Sequence, residues 1–128
     1  MPVSATYHSE HGWFEHHCTG LTTARDIAGA IEQSVLSENW GGGKHRLIRI
    51  TPETDLSELT LEAIQTDIVP KIETLRHLIP EQQKAAIVAT GYGHDVIGQL
   101  YQHTPVNKDV FEYRVFTTED EAVAWLRN

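Results

Sequence analysis

The stretch Lys84-Ala85-Ala86-Ile87-Val88-Ala89 is apolar at every position after its first. A strand with one wet face alternates in polarity, so an unbroken apolar run this short predicts a strand covered by helices on both sides. That requirement sets the class: the remaining segments must supply helices long enough to cover a sheet and strands to extend it.

The chain provides both in alternation. Trp13 to Thr19 is aromatic and β-compatible between Gly12 and Gly20, and Thr6 to His8 is placed to pair with it through a short turn at Ser9 to Gly12. Ala24, Ile27, Ala28, Ile31 and Val35 recur at helical spacing behind a cap at Thr22 or Thr23, and Asn39-Trp40-Gly41-Gly42-Gly43 ends that helix. Leu47 to Ile50 reads as a strand leaving the sheet at Thr51-Pro52. Leu61, Ile64, Ile68, Ile72, Leu75 and Ile79 then step at helical spacing straight through Pro70, which predicts a kink or two abutting helices. Thr60 is the expected cap, with Leu59 and Ile64 as a hydrophobic staple.

Gly91-Tyr92-Gly93 turns the chain into a helix carrying Val96, Ile97, Leu100 and Tyr101, stopped by Thr104-Pro105. Phe111, Tyr113 and Val115 alternate with Glu112 and Arg114, as in a strand near an edge. Thr118 and Glu121 form a capping-box pair before a helix that buries Ala122, Trp125 and Leu126. A hairpin followed by alternating helices and strands implies one α/β domain over residues 1–128, with a single mixed, mostly parallel sheet of about five strands.

Composition narrows the partners. With 18 acidic against 10 basic residues the formal net charge is -8, unsuited to a nucleic-acid ligand held through phosphates. Lys44-His45-Arg46 and Arg49 come nearest to a basic cluster and read as a solvated edge. Cys18 is the lone cysteine, and the first ten residues lack the basic-then-apolar pattern of a secretion signal; a cytoplasmic location is the expectation. No segment approaches the ~20 apolar residues of a membrane span.

In Lys84-Ala85-Ala86-Ile87-Val88, Gly98-Gln99-Leu100-Tyr101 and the run from Arg114 through Thr118-Glu119-Asp120-Glu121 to Leu126, with Thr19-Gly20-Leu21-Thr22 and Asp55-Leu56-Ser57 upstream, the chain resembles the SpoIIAA-like family. These bacterial proteins share the STAS fold of anti-anti-sigma factors and the CRAL-TRIO lipid-transfer fold. The resemblance implies a fold and no common activity. Anti-anti-sigma factors carry a phosphorylatable serine at a helix start after an Asp-x-Ser loop, and Asp55-Leu56-Ser57 matches that opening. The continuation departs from it, because Leu61 and Glu62 stand where paired serines would fall. Ser57 and Thr60 accordingly read first as turn and cap residues, with phosphorylation at the helix start as the variant reading.

Eight histidines raise the question of a metal. His16 and His17 point to opposite faces of a strand, so only one can join Cys18 and a cross-turn His8 or His11; with no paired-ligand motif, no metal site and no cofactor is assigned. Gly91-Tyr92-Gly93 lacks the further glycine of a dinucleotide fingerprint, and Gly41-Gly42-Gly43-Lys44 follows a helix instead of preceding one. No nucleophile, base and acid assemble around Cys18 or His94-Asp95, so no catalytic residue is assigned.

The leading expectation is a non-enzymatic regulatory module binding a protein partner through Asp55, Ser57, Thr60, Gly91, Tyr92, Gly93 and His94. Both segments follow parallel strands and precede helices, which puts them on one rim of the sheet. A carrier of a small apolar ligand is the alternative, and an enzyme of another class the third. Trp13, Trp40 and Tyr92, read as exposed aromatics, make a homodimer plausible.

Overall fold

The computed structural model describes residues 3–103 and 107–128; the expected helix stop at Thr104-Pro105 lies outside them. The order is β1 (Val3–His8), β2 (Trp13–Cys18), α1 (Ala24–Val35), β3 (His45–Ile50), α2 (Leu61–Ala63), a π turn (Ile64–Ile68), α3 (Val69–Leu75), a short 3-10 turn (Arg76–Leu78), β4 (Gln83–Val88), α4 (Gly91–His103), β5 (Phe111–Phe116) and α5 (Glu119–Arg127). The five strands lie side by side in chain order, β1 antiparallel to β2 and every later neighbour parallel.

Alternation along the strands divides the core in two. Phe14, Cys18, Ile48, Ala85, Ile87 and Phe111 pack against α1, the π turn, α3 and α4, while Trp13, Leu47 and Ala86 meet Ala122 and Leu126 of α5 on the opposite face. β4 is thus covered on both sides, as its composition requires. The middle of the sheet, however, is β3; β4 lies one strand from the β5 edge.

The helix ends follow from local chemistry. Thr23 and Asp26 exchange hydrogen bonds in a full capping box, Thr60 Oγ1 accepts from the Ala63 N–H, and Thr118 Oγ1 accepts from the Glu121 N–H. Between 61 and 79 the helix does not simply kink. The Val69 N–H reaches back to the Ile64 carbonyl, a wider loop of chain just before Pro70, which then occupies the first turn of α3. The apolar stripe survives the change of pitch: Ile64, Ile68, Ile72, Leu75 and Ile79 are all buried.

Two aromatic expectations are corrected. Trp13 and Trp40 are each 3% exposed, Trp13 beneath α5 and Trp40 with its indole N–H donating to the Leu78 carbonyl at 2.8 Å, so neither offers a dimer surface. Tyr92 alone of the three is exposed.

Candidate functional site

The parallel strands β2, β3 and β4 end at Cys18, Ile50 and Val88, and the three segments that follow them form one rim. The first two are stitched together. Leu21 and Asp55 form a parallel bridge, the Thr22 N–H donates to Asp55 O and the Asp55 N–H to Gly20 O, at 3.0 and 2.8 Å. Thr51 and Thr54 hydroxyls both donate to the Cys18 carbonyl, at 3.1 and 2.8 Å. Gly20, with φ of 67°, takes the left-handed turn that this pairing needs. The third segment begins beside the end of β3: a Cβ on Gly93 would stand 3.5 Å from the Ile50 Cγ2, an ordinary contact.

Each expected rim residue has a place. Asp55 accepts from the Ser57 N–H at 2.9 Å, and hydrogen bonds from the Ser57 hydroxyl and N–H hold its carboxyl below the usual carboxylate range. Ser57 is therefore turned onto Asp55, and Thr60 caps α2. Gly91, Tyr92, Gly93 and His94 form the first turn of α4 instead of a loop before it; Gly91 enters it at φ of 57°. Tyr92 is 69% exposed, and the His94 imidazole lies 3.8 Å from the Asp95 carboxylate. Three of the four large hydrophobic side chains exposed among the described residues belong to this rim, one on each of its successive segments: Leu21, Leu61 and Tyr92.

Below the rim, the helix-facing side of the sheet buries two basic side chains. Arg46 is 1% exposed with its guanidinium 4.7 Å from the centre of the Phe111 ring, and His16 is 2% exposed. The basic stretch at 44–46 is not a solvated edge. A usable signal was present: Arg46 shares strand parity with Ile48 and Ile50, which commits it to the apolar face. Burial, with Arg46 nearby, drives the His16 imidazole well below its ordinary range and keeps it neutral; burial also pushes the Cys18 thiol up to about 12. His17 faces solvent, on the other side from His16.

The opposite face of the hairpin carries a chain of charges. His8 places Nδ1 2.9 Å from Glu10 and Nε2 3.0 Å from Glu15; Arg49 pairs with Glu15 at 3.0 Å and with Glu119. His8 and Cys18 thus lie on different faces of the hairpin, and no group of three or more His, Cys, Asp or Glu among the described residues is arranged to hold a metal ion.

No family model matches the chain, and no curated protein does. Among solved structures, the chain resembles an uncharacterised protein of the DUF3478 family with a SpoIIAA-like fold from Shewanella loihica PV-4, at 19% identity over 97% of this chain and 91% of that one, with a TM-score of 0.55. The fold is SpoIIAA-like.

Proposed function

We propose that this chain is a non-enzymatic regulatory module of a bacterial cytoplasm that binds a protein partner on the rim formed by residues 20–23, 51–61 and 90–95. One observation carries the reading: Leu21, Leu61 and Tyr92 leave apolar surface in water on three adjoining segments, 47%, 44% and 69% exposed, whereas the large core side chains behind them are buried. Large apolar side chains left in water on successive segments of one rim, on a domain with a complete core, support reading that rim as an interaction surface. Tyrosine suits such a surface, presenting an apolar body and a polar tip at low entropic cost.

Other readings draw less support. Transport of an apolar molecule would require α4 and the Leu56 segment to part from the sheet, since the cavity beneath them measures about 20 Å³, room for roughly one water. Nucleophilic catalysis at Cys18 works against a buried thiol whose ionisation is pushed up to about 12.

The test is affinity capture from cognate lysate with three proteins: the native chain, a Leu61→Ser/Tyr92→Ser double variant, and Leu36→Ser, which removes the exposed leucine at the far end of α1. The expected result is a protein retained by the native chain and by Leu36→Ser and lost from the double variant. Equal retention by all three would rule the rim out.

A further inference from the structure

The sheet ends in β1 on one side and β5 on the other, and the two edges differ in chemistry. An edge strand offers unpaired N–H and C=O groups to any extended chain, and natural edges are blunted by charge, proline, a bulge or a covering element. β5 carries the charged side chains Glu112 and Arg114. β1 has no charge, proline or bulge between Val3 and Tyr7. Its residues there are Val, Ser, Ala, Thr and Tyr, and its register with β2 runs unbroken from Val3 opposite Cys18 to His8 opposite Trp13. Apart from turn bonds to the His8 carbonyl, its backbone pairs with no other backbone outside that ladder among the described residues. The space beside it is open and uncharged: Ala5, Thr6, Tyr7, Gln33, Ser37 and Asn39 line a groove of about 360 Å³.

We propose that β1 pairs with β1 of a second copy of this chain, antiparallel about a two-fold axis at Ala5, so that two five-stranded sheets join edge to edge. Directly opposed residues of an antiparallel pair lie on the same face of the sheet, which restricts the registers open to the two strands. With Ala5 opposite Ala5 of the second copy, Val3 faces Tyr7 and Ser4 faces Thr6 on each side of the axis. Every pair is then compatible: a β-branched side chain beside an aromatic one, a hydroxyl beside a hydroxyl, and the smallest side chain of the strand at the axis, where one residue meets itself. A two-fold contact requires such self-complementarity. Charge selects the same place. Two chains of net charge -8 repel wherever carboxylates approach, and this register sets no charged side chain opposite another between Val3 and Tyr7. An acidic or basic peptide finds no opposite charge along those residues, which leaves a neutral strand such as β1 itself as the matching occupant. The pairing uses none of Leu21, Leu61 and Tyr92 and stands or falls independently of the rim.

Sedimentation equilibrium of the native chain and two double variants tests the pairing. The native chain should show a reversible monomer–dimer equilibrium with a micromolar Kd, as suits a contact at the small end of the range for specific interfaces. Ser4 and Thr6 are exposed, so Ser4→Lys/Thr6→Lys sets lysine opposite lysine on both sides of the axis, and the dimer should weaken roughly tenfold. Ser4→Glu/Thr6→Lys sets glutamate opposite lysine and should dimerise at least as tightly as the native chain. The comparison separates local pairing from overall charge, because the double-lysine variant lowers the net negative charge and would strengthen a non-specific association. Within each chain Thr6 lies opposite Glu15 and Ser4 opposite His17, so a lysine at position 6 meets a carboxylate on β2 in both variants. A native chain that stays monomeric at roughly 300 µM overturns the proposal, as does equal dimerisation by all three proteins or equal loss in both variants. Should a variant fail to fold, hydrogen exchange of the native chain decides: protection of the β1 amides should rise with protein concentration, and a rise confined to other segments, or none, overturns the pairing.

Discussion

Trp13 and Trp40 are equally buried, yet replacing each with phenylalanine should have very different consequences. Both indoles are 3% exposed. The Trp40 N–H donates to the Leu78 carbonyl at 2.8 Å, tying the loop after α1 to the short turn before β4, whereas the Trp13 N–H is buried with no hydrogen-bond partner among the described residues. Shrinking either ring to a phenyl leaves about 40 Å³ unfilled, which at about 24 cal/mol per Å³ costs about 1 kcal/mol. At Trp40 the lost hydrogen bond adds about 1 kcal/mol and the stranded Leu78 carbonyl about as much again, so Trp40→Phe should destabilise the fold by about 3 kcal/mol. At Trp13 the same change removes an unsatisfied donor whose burial itself costs about 1–3 kcal/mol, so the two effects offset and the net should lie within about 1 kcal/mol of zero. Urea unfolding followed by far-ultraviolet circular dichroism separates the cases. With a slope of about 2 kcal/mol per molar urea, the Trp40→Phe midpoint should fall by about 1.5 M and the Trp13→Phe midpoint by less than about 0.5 M. Equal losses would refute the reasoning, and would mean that a water or an alternative packing satisfies the Trp13 indole.

Two further outcomes follow from ionisation. His8 has a carboxylate at each ring nitrogen, and the hydrogen bond to Glu10, followed by the charge of Glu15, raises its pKa above the ordinary 6.5. A raised folded-state value means the pair stabilises fully below about 6.5, where both states are protonated, and is lost as pH climbs through the folded value. Urea midpoints of the native chain should therefore fall more between pH 6 and pH 8 than those of His8→Gln, and a parallel pair of profiles would contradict this. Cys18, 1% exposed and with its thiol pushed up to about 12, should resist iodoacetamide at pH 8 in the native state and react on unfolding; mass spectrometry of the intact chain shows which occurs.

Much of the architecture is legible because periodicity survives tertiary packing. The unbroken apolar run at 84–89 required cover on both faces, and α5 on one side with α4 and its neighbours on the other provide it. The alternation at 111–116 signalled an edge strand and β5 is one. Caps at Thr23, Thr60 and Thr118 follow from short-range hydrogen bonds that depend on nothing distant. What the sequence concealed depends on neighbours far along the chain. Arg46 was assigned by residue type, as solvent-facing, when its strand parity with Ile48 and Ile50 placed it under the helices. Trp40 was read as exposed because its partner, the Leu78 carbonyl, is 38 positions away. Strand order is also a tertiary property: the composition of β4 requires cover but is silent on whether one or two strands lie beyond it. For the rim, the loops after β3 and β4 were foreseeable from the β–loop–α alternation. The contribution of Leu21 was not, since it arises from the bridge to Asp55.

The claim that the rim meets a partner is tested most directly by contact in the cell. A photo-crosslinking amino acid is placed in turn at Leu21, Leu61 and Tyr92, and at the exposed Leu36 and His77 away from the rim. Irradiation should trap one and the same protein from all three rim positions and from neither of the others. Trapping from Leu36 or His77 with none from the rim would contradict the account.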